Sequence, residues 1–123
     1  MSGLNLVLLI GNLGAEPEMK FLPSGTPMTT FRIAVTQNRV DSDGEKKENT
    51  EWFNIVTWKG LAESCNQYLA KGKKVFIEGR LQTRSWDSDG QKKYKTEVVA
   101  TKVEFLDRPV VEKVEDEISD LPF

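Results

Sequence analysis

The sequence predicts an all-β protein, a small closed barrel of five strands with one helix inserted between the third and the fourth. Three observations carry that expectation. Apolar and polar residues alternate with period 2 through most of the first hundred residues, turn signals rich in Gly, Pro and Asp separate the runs at short intervals, and one stretch alone changes to a helical period. The chain has 123 residues, close to the size of one domain. With 38% apolar and 29% charged residues it can bury a modest core and is not compositionally disordered.

The first strand is placed at about Leu4 to Leu13 and is apolar on both faces, with Leu4, Leu6, Leu8 and Ile10 on one and Val7 and Leu9 on the other. An antiparallel strand with one wet face would not read this way, so another part of the chain or a second subunit must cover it, and a subunit is the expectation for so small a protein. Gly11, Gly14 and Pro17 break the run, and Pro23-Ser24-Gly25 marks a turn. The second strand runs near Met28 to Asn38, with Phe31, Ile33 and Val35 toward the core and Thr30, Arg32 and Thr36 away from it. Residues Arg39 to Asn49 are charged, carry no large aromatic and read as an exposed hairpin arm leading to a third strand near Thr50 to Trp58. From Leu61 to Ala70 the period changes, and Leu61, Cys65, Tyr68 and Leu69 fall on one helical stripe. Gly72 stands where the helix should stop. A fourth strand from about Lys74 to Trp86 turns at Asp87-Ser88-Asp89-Gly90, a second hairpin arm, into a fifth strand from about Lys92 to Leu106.

Three strands, a helix and two strands are the order of the OB-fold, a five-stranded barrel with an open face and loops that bind oligonucleotides. Residues 1–108 would form this domain and 109–123 a short, disordered acidic tail. Charge divides the same way, because residues 1–108 carry 16 Lys/Arg and 14 Asp/Glu while 109–123 carry one Lys and five Asp/Glu. That asymmetry suits a nucleic-acid contact on the body and a protein contact on the tail.

Several function classes drop out on composition. No histidine and a single cysteine leave neither a His-based acid/base pair, nor a Cys/His zinc site, nor an internal disulfide. No catalytic residue, metal or cofactor is therefore expected, and no acidic pair lies on the aromatic face where a metal-dependent nuclease would need one. The longest apolar run, Leu6 to Ile10, is far short of the ~20 residues of a membrane span and lacks the flanks of a signal peptide. Together these point to an intracellular binder.

Period 2 also sorts the candidate binding residues. Trp52, Asn54, Val56 and Trp58 share one face of the third strand, while Phe53 and Ile55 take the other; Arg80, Gln82, Arg84 and Trp86 share one face of the fourth, with Val75, Ile77 and Leu81 opposite. Flat rings interleaved with cations suit single-stranded nucleic acid, whose unpaired bases stack while its phosphates meet Arg and Lys. Arg32 and the arm lysines Lys46, Lys47, Lys92 and Lys93 add positive charge. Other uses of the same rings remain open at this level: capping the barrel ends, filling a subunit contact, or meeting a protein partner in an adaptor.

The segments GNLGAEPEMKFLPSGTPMTTFRIAV and TEWFNIVTWKGLAESCNQYLAKGKKVFIEGRLQTRSW, with the ending DLPF, resemble the bacterial single-stranded DNA-binding protein family over nearly the whole chain. The resemblance implies a homotetramer of OB-folds, cytoplasmic and nucleoid-associated, that coats and protects single-stranded DNA without sequence preference in replication, recombination and repair. It places Trp52, Trp58 and Trp86 at base-stacking positions. It also implies that Asp120, Leu121, Pro122 and Phe123 form a tip that recruits DNA-processing enzymes. A replication-restart accessory OB-fold protein is the alternative within nucleic-acid binding. The sequence departs from the family pattern at Asn38, where a further stacking Trp is common, at Leu6, where a basic residue is common, and at Phe53, where a His can stand at the subunit interface. The stretch from Arg108 to about Val114 is short and has no Gly/Gln/Pro-rich linker, which limits the reach of the tip.

Overall fold

The computed structural model describes residues 3–107, in which the alternating segments form six strands and one helix. In chain order these are β1 Val7–Leu13, β2 Glu18–Phe21, β3 Pro27–Val40, β4 Lys46–Trp58, α1 Lys59–Tyr68, β5 Lys74–Ser88 and β6 Gln91–Phe105. Strand β1 pairs with β5 on one side and β3 on the other, and β4 and β6 pair in parallel through Ile55↔Val98 and Val56↔Val99. With the β3–β4 and β5–β6 hairpins, strands β1, β5, β6, β4 and β3 close on themselves. This is the expected five-stranded OB-fold barrel with its helix between the third and fourth barrel strands. The sixth strand, β2, lies outside the ring and pairs only with β3, from Glu18↔Thr30 to Phe21↔Pro27. Its four residues, between Pro17 and Pro23, are too few to show a period, so the sequence predicts no strand there. The tail and the tip from Asp120 to Phe123 lie outside the described residues.

The core is filled from all five barrel strands by Leu13, Phe31, Ile33, Ile55, Val75, Ile77, Val98 and Ala100, with Cys65 and Leu69 closing one end. Two hydroxyls inside it are satisfied by the backbone: Thr29 Oγ1 donates to the Ala62 carbonyl at 2.7 Å, and Thr57 Oγ1 donates to the Thr29 carbonyl at 2.8 Å. That chain ties α1 to β3 and β3 to β4 without leaving a buried polar group unpaired. Burial pushes the Cys65 thiol up to about 11, partly offset by a hydrogen bond with Thr57. Cys65 is thus a core residue, as its place on the helical stripe suggested.

The helix starts and ends two residues earlier than its apolar spacing predicts. Its first residue, Lys59, has φ of +59°, and Leu69, already extended, donates its N–H to the Cys65 carbonyl at 3.0 Å. Ala62, Cys65 and Leu69 therefore face the core, whereas Tyr68, expected on the same stripe, is exposed and lies 5.9 Å from the ring of Phe105.

Both arms extend the barrel strands beyond the core. Strands β3 and β4 stay paired out to Val40↔Lys46, so the charged residues 39–49 form the exposed hairpin arm that the sequence predicts, with strand pairing continuing into it and both faces in water. Burial period is the signal that reveals a strand in sequence, and it is lost where neither face is buried. The β5–β6 arm turns on two residues, Asp89 and Gly90, with φ of +52° and +78°, the paired positive angles of a tight hairpin. Leu81 corrects the sequence reading. Period 2 puts it on the core side, yet it is 47% exposed because β5 has by then passed a register shift at Glu78/Gly79 and is leaving the barrel. Gly79 permits that crossing, since a Cβ there would meet the Val99 carbonyl oxygen at 2.2 Å. On β1 the inward residues Val7 and Leu9 pack on the core, while Leu4, Leu6, Leu8 and Ile10 remain exposed among the described residues.

Candidate nucleic-acid interface

Pairing register, more than any loop, assembles the site. On the outer face of the β3–β4 hairpin, Trp58 lies opposite Met28, Val56 opposite Thr30, Asn54 opposite Arg32 and Trp52 opposite Ala34. On the β5–β6 hairpin, Arg80 lies opposite Val99, Gln82 opposite Glu97, Arg84 opposite Lys95 and Trp86 opposite Lys93. The parallel pair Val56↔Val99 joins the two hairpins into one continuous outer surface. Between them runs a groove of about 720 Å³ whose lining includes Trp52, Trp58, Arg32, Asn54, Gln82, Arg84, Lys95 and Glu97, with Lys20 and Leu22 at the β2 end.

Within this groove the rings are already oriented. Trp52 is half-exposed, with the Arg32 guanidinium 4.9 Å above its centroid. The edge of the same ring lies against Gly14, where an added Cβ would fall 2.4 Å from it. Trp58 is half-buried in the groove wall. Trp86 lies further out along the β5–β6 arm, with the Arg84 guanidinium 5.8 Å from its centroid. Arg84 is also fixed from below, since its Nε–H donates to Glu97 Oε1 at 2.6 Å and a terminal amino group reaches Glu97 Oε2 at 3.4 Å, with Lys95 Nζ 4.0 Å from that same oxygen.

The sequence-chosen residues thus divide by place. Trp52, Trp58, Arg32 and Arg84 meet in the groove. Arg80, Trp86 and Lys93 share its face by register but lie outside its lining. Lys46 and Lys47 sit at the end of the β3–β4 arm beside a separate shallow cavity of about 430 Å³, and Lys47 is ion-paired with Asp41 at 2.9 Å. Lys92 stands opposite Asp87 near the tip of the other arm. Sequence reasoning passed over Glu97, Gly14 and the β2 residues Glu18 and Lys20. Period 2 puts Glu97 on the face of Lys93 and Lys95, so the parity was readable, but its burial was not.

A closed OB barrel whose open groove carries flat rings and cations defines the class of oligonucleotide-binding β-barrels. Comparison narrows the class. Residues 4–106 match the model of the single-strand binding protein family. The chain is 51% identical over 106 residues to single-stranded DNA-binding protein 1 of Chlorobaculum tepidum, an alignment covering 85% of this chain and 65% of that protein. It is 43% identical over 108 residues to single-stranded DNA-binding protein 1 of Xylella fastidiosa, covering 86% and 79%. Among solved structures, a Plasmodium falciparum SSB in complex with ssDNA superposes with a TM-score of 0.80 at 34% identity, covering 87% of this chain and 98% of that one. A deletion mutant of the single-stranded DNA-binding protein from Thermus aquaticus gives 0.78 at 34% identity, covering 85% and 51%. The chain belongs to the single-strand binding protein family, whose members bind DNA and are not enzymes. Among the described residues no helix is long and apolar enough to cross a membrane.

Proposed function

We propose that this protein binds single-stranded DNA without sequence preference and protects it during DNA replication, recombination and repair. The observation that carries this reading is the placement of Trp52 and Trp58 with Arg32 along one open groove, each ring held by the fold before any ligand arrives. Bases stack on Trp52, Trp58 and, beyond the groove, Trp86; duplex DNA, whose base faces are covered, gains none of this. Arg32 is a phosphate-facing cation of the groove, with Arg80, Lys46 and Lys93 extending the path on the same face, Lys47 and Lys92 adding charge from the opposite face of the arms, and Arg84 belonging to the groove face through its contact with Trp86. The Plasmodium relative, solved in complex with ssDNA, supports the choice of ligand. The working unit is a homotetramer, for which the uncovered apolar face of β1 is the support. The tip from Asp120 to Phe123 recruits DNA-processing enzymes, an apolar ring among negative charges suiting a small pocket edged by Arg or Lys. Cytoplasmic, nucleoid-associated localisation follows from such a role.

Tryptophan fluorescence is the direct test. Titration with a 35-nucleotide thymidine strand should quench emission strongly at low salt and less at high salt, and duplex of equal length should quench little. Trp86→Ala should weaken binding by about 1–3 kcal/mol without unfolding the domain. Deleting residues 121–123 should leave strand affinity intact and abolish enzyme recruitment. Absence of quenching by either nucleic acid would reassign the rings to a protein contact.

A further inference from the structure

Among the described residues Glu97 is the only buried carboxylate, and it is buried in the groove where a polyanion would lie. A negative charge there opposes the ligand, so its presence needs a reason. The two arginines of the site differ in one respect. Arg32 and Arg84 each stand over a tryptophan, but among the described residues Arg32 has no carboxylate partner, while Arg84 meets Glu97 through two of its five N–H groups. The planar fork of arginine matches a carboxylate edge-on, and a buried acid of this kind is stable only when paired. We infer that Glu97 is a positioning residue that holds the charge of Arg84 away from phosphate, keeping the grip on the strand below what the groove's cations would otherwise give. This rests on the reading of the groove as a site for single-stranded DNA. Arg84 then serves as a fixed flank of Trp86, and Arg32 supplies a free cation. A protein that must later yield its strand to enzymes gains faster release from such an arrangement.

The test is a set of salt-dependent fluorescence titrations with the 35-nucleotide thymidine strand on four proteins: the unaltered chain, Glu97→Gln, Arg84→Met and the double variant. Glutamine keeps the shape and one acceptor for the Arg84 Nε–H while removing the charge. Freeing Arg84 adds one phosphate contact, so Glu97→Gln should steepen the log–log salt slope by about 0.7 and raise affinity roughly fivefold at 0.1 M salt. Arg84→Met alone strips Glu97 of its close partner and measures the repulsion of the bare carboxylate; the double variant, which has neither charge, should keep the slope of the unaltered chain. An unchanged slope in Glu97→Gln overturns the inference. So does an equal gain with and without Arg84, which would make Glu97 a simple repulsive charge. Should Glu97→Gln fail to fold, hydrogen exchange at the Arg84 Nε–H of the unaltered protein decides. Protection that persists when the strand is bound supports the inference, and its loss on binding overturns it. Absence of salt-sensitive binding by the unaltered chain would be a different failure, that of the site itself.

Discussion

At the scale of single residues, the site depends on what is missing beneath Trp52 as much as on the ring itself. Gly14 carries no Cβ, and the atoms that an added one would meet, at 2.4 and 2.7 Å, belong to the outer edge of the indole. Such an edge can swing aside, so Gly14→Ala should cost little stability but tilt the platform. Strand affinity should fall by an amount approaching the loss of one stacked base, about 1–3 kcal/mol, with a shift in the emission maximum of the free protein and an unchanged unfolding midpoint. A drop in stability with normal affinity would show the ring to be indifferent to its support. The sequence displays Gly14 as one of several turn glycines; its use as a seat for Trp52 appears only when the loop after β1 folds over β4.

At the scale of elements, α1 begins with a backbone conformation its sequence does not favour. Lys59 has φ of +59°, which costs an L-residue about 1–2 kcal/mol. Glycine relieves that cost but loses about 0.5–1 kcal/mol through its freer unfolded chain. Lys59→Gly should therefore stabilise the domain by roughly 0.5–1 kcal/mol, read as a higher urea midpoint with an unchanged m-value, and Lys59→Ala should give no such gain because its Cβ remains. Trp58 immediately precedes this residue, so the tight turn from β4 into α1 also sets where that ring leaves the strand. Periodicity located α1 to within two residues at each end. It could not show the turn, because a lysine before Gly60 carries no sign of a positive φ.

At the scale of the whole molecule, the outward face of β1 dominates. Leu6, just before the strand, and Leu8 and Ile10 on it are 57%, 56% and 50% exposed in the single chain, at alternate positions. Covering a leucine or isoleucine completely is worth about 1.5–3 kcal/mol, so a row of them strongly favours association. Leu8→Glu combined with Ile10→Lys should lower the mass seen by sedimentation to that of smaller species, while a short thymidine strand still quenches the tryptophans, because the groove lies across β3 to β6. A chain that already sediments as a monomer before substitution would refute the tetramer.

Period 2 along the chain, with its change at one stretch, was enough to place the five barrel strands, the helix between the third and fourth, the core face of β3 and the common face of Trp52 and Trp58, because those signals are local. The Asp89-Gly90 turn was equally legible, its residue types being those that tolerate positive φ. Tertiary structure alone decided which hairpins share a surface, since the pair Val56↔Val99 joins residues far apart in sequence. It alone buried Glu97 beneath Arg84, seated Trp52 on Gly14, exposed Leu81 and added β2. Each of these follows from closure of the barrel, and closure is a long-range pairing that no local period records.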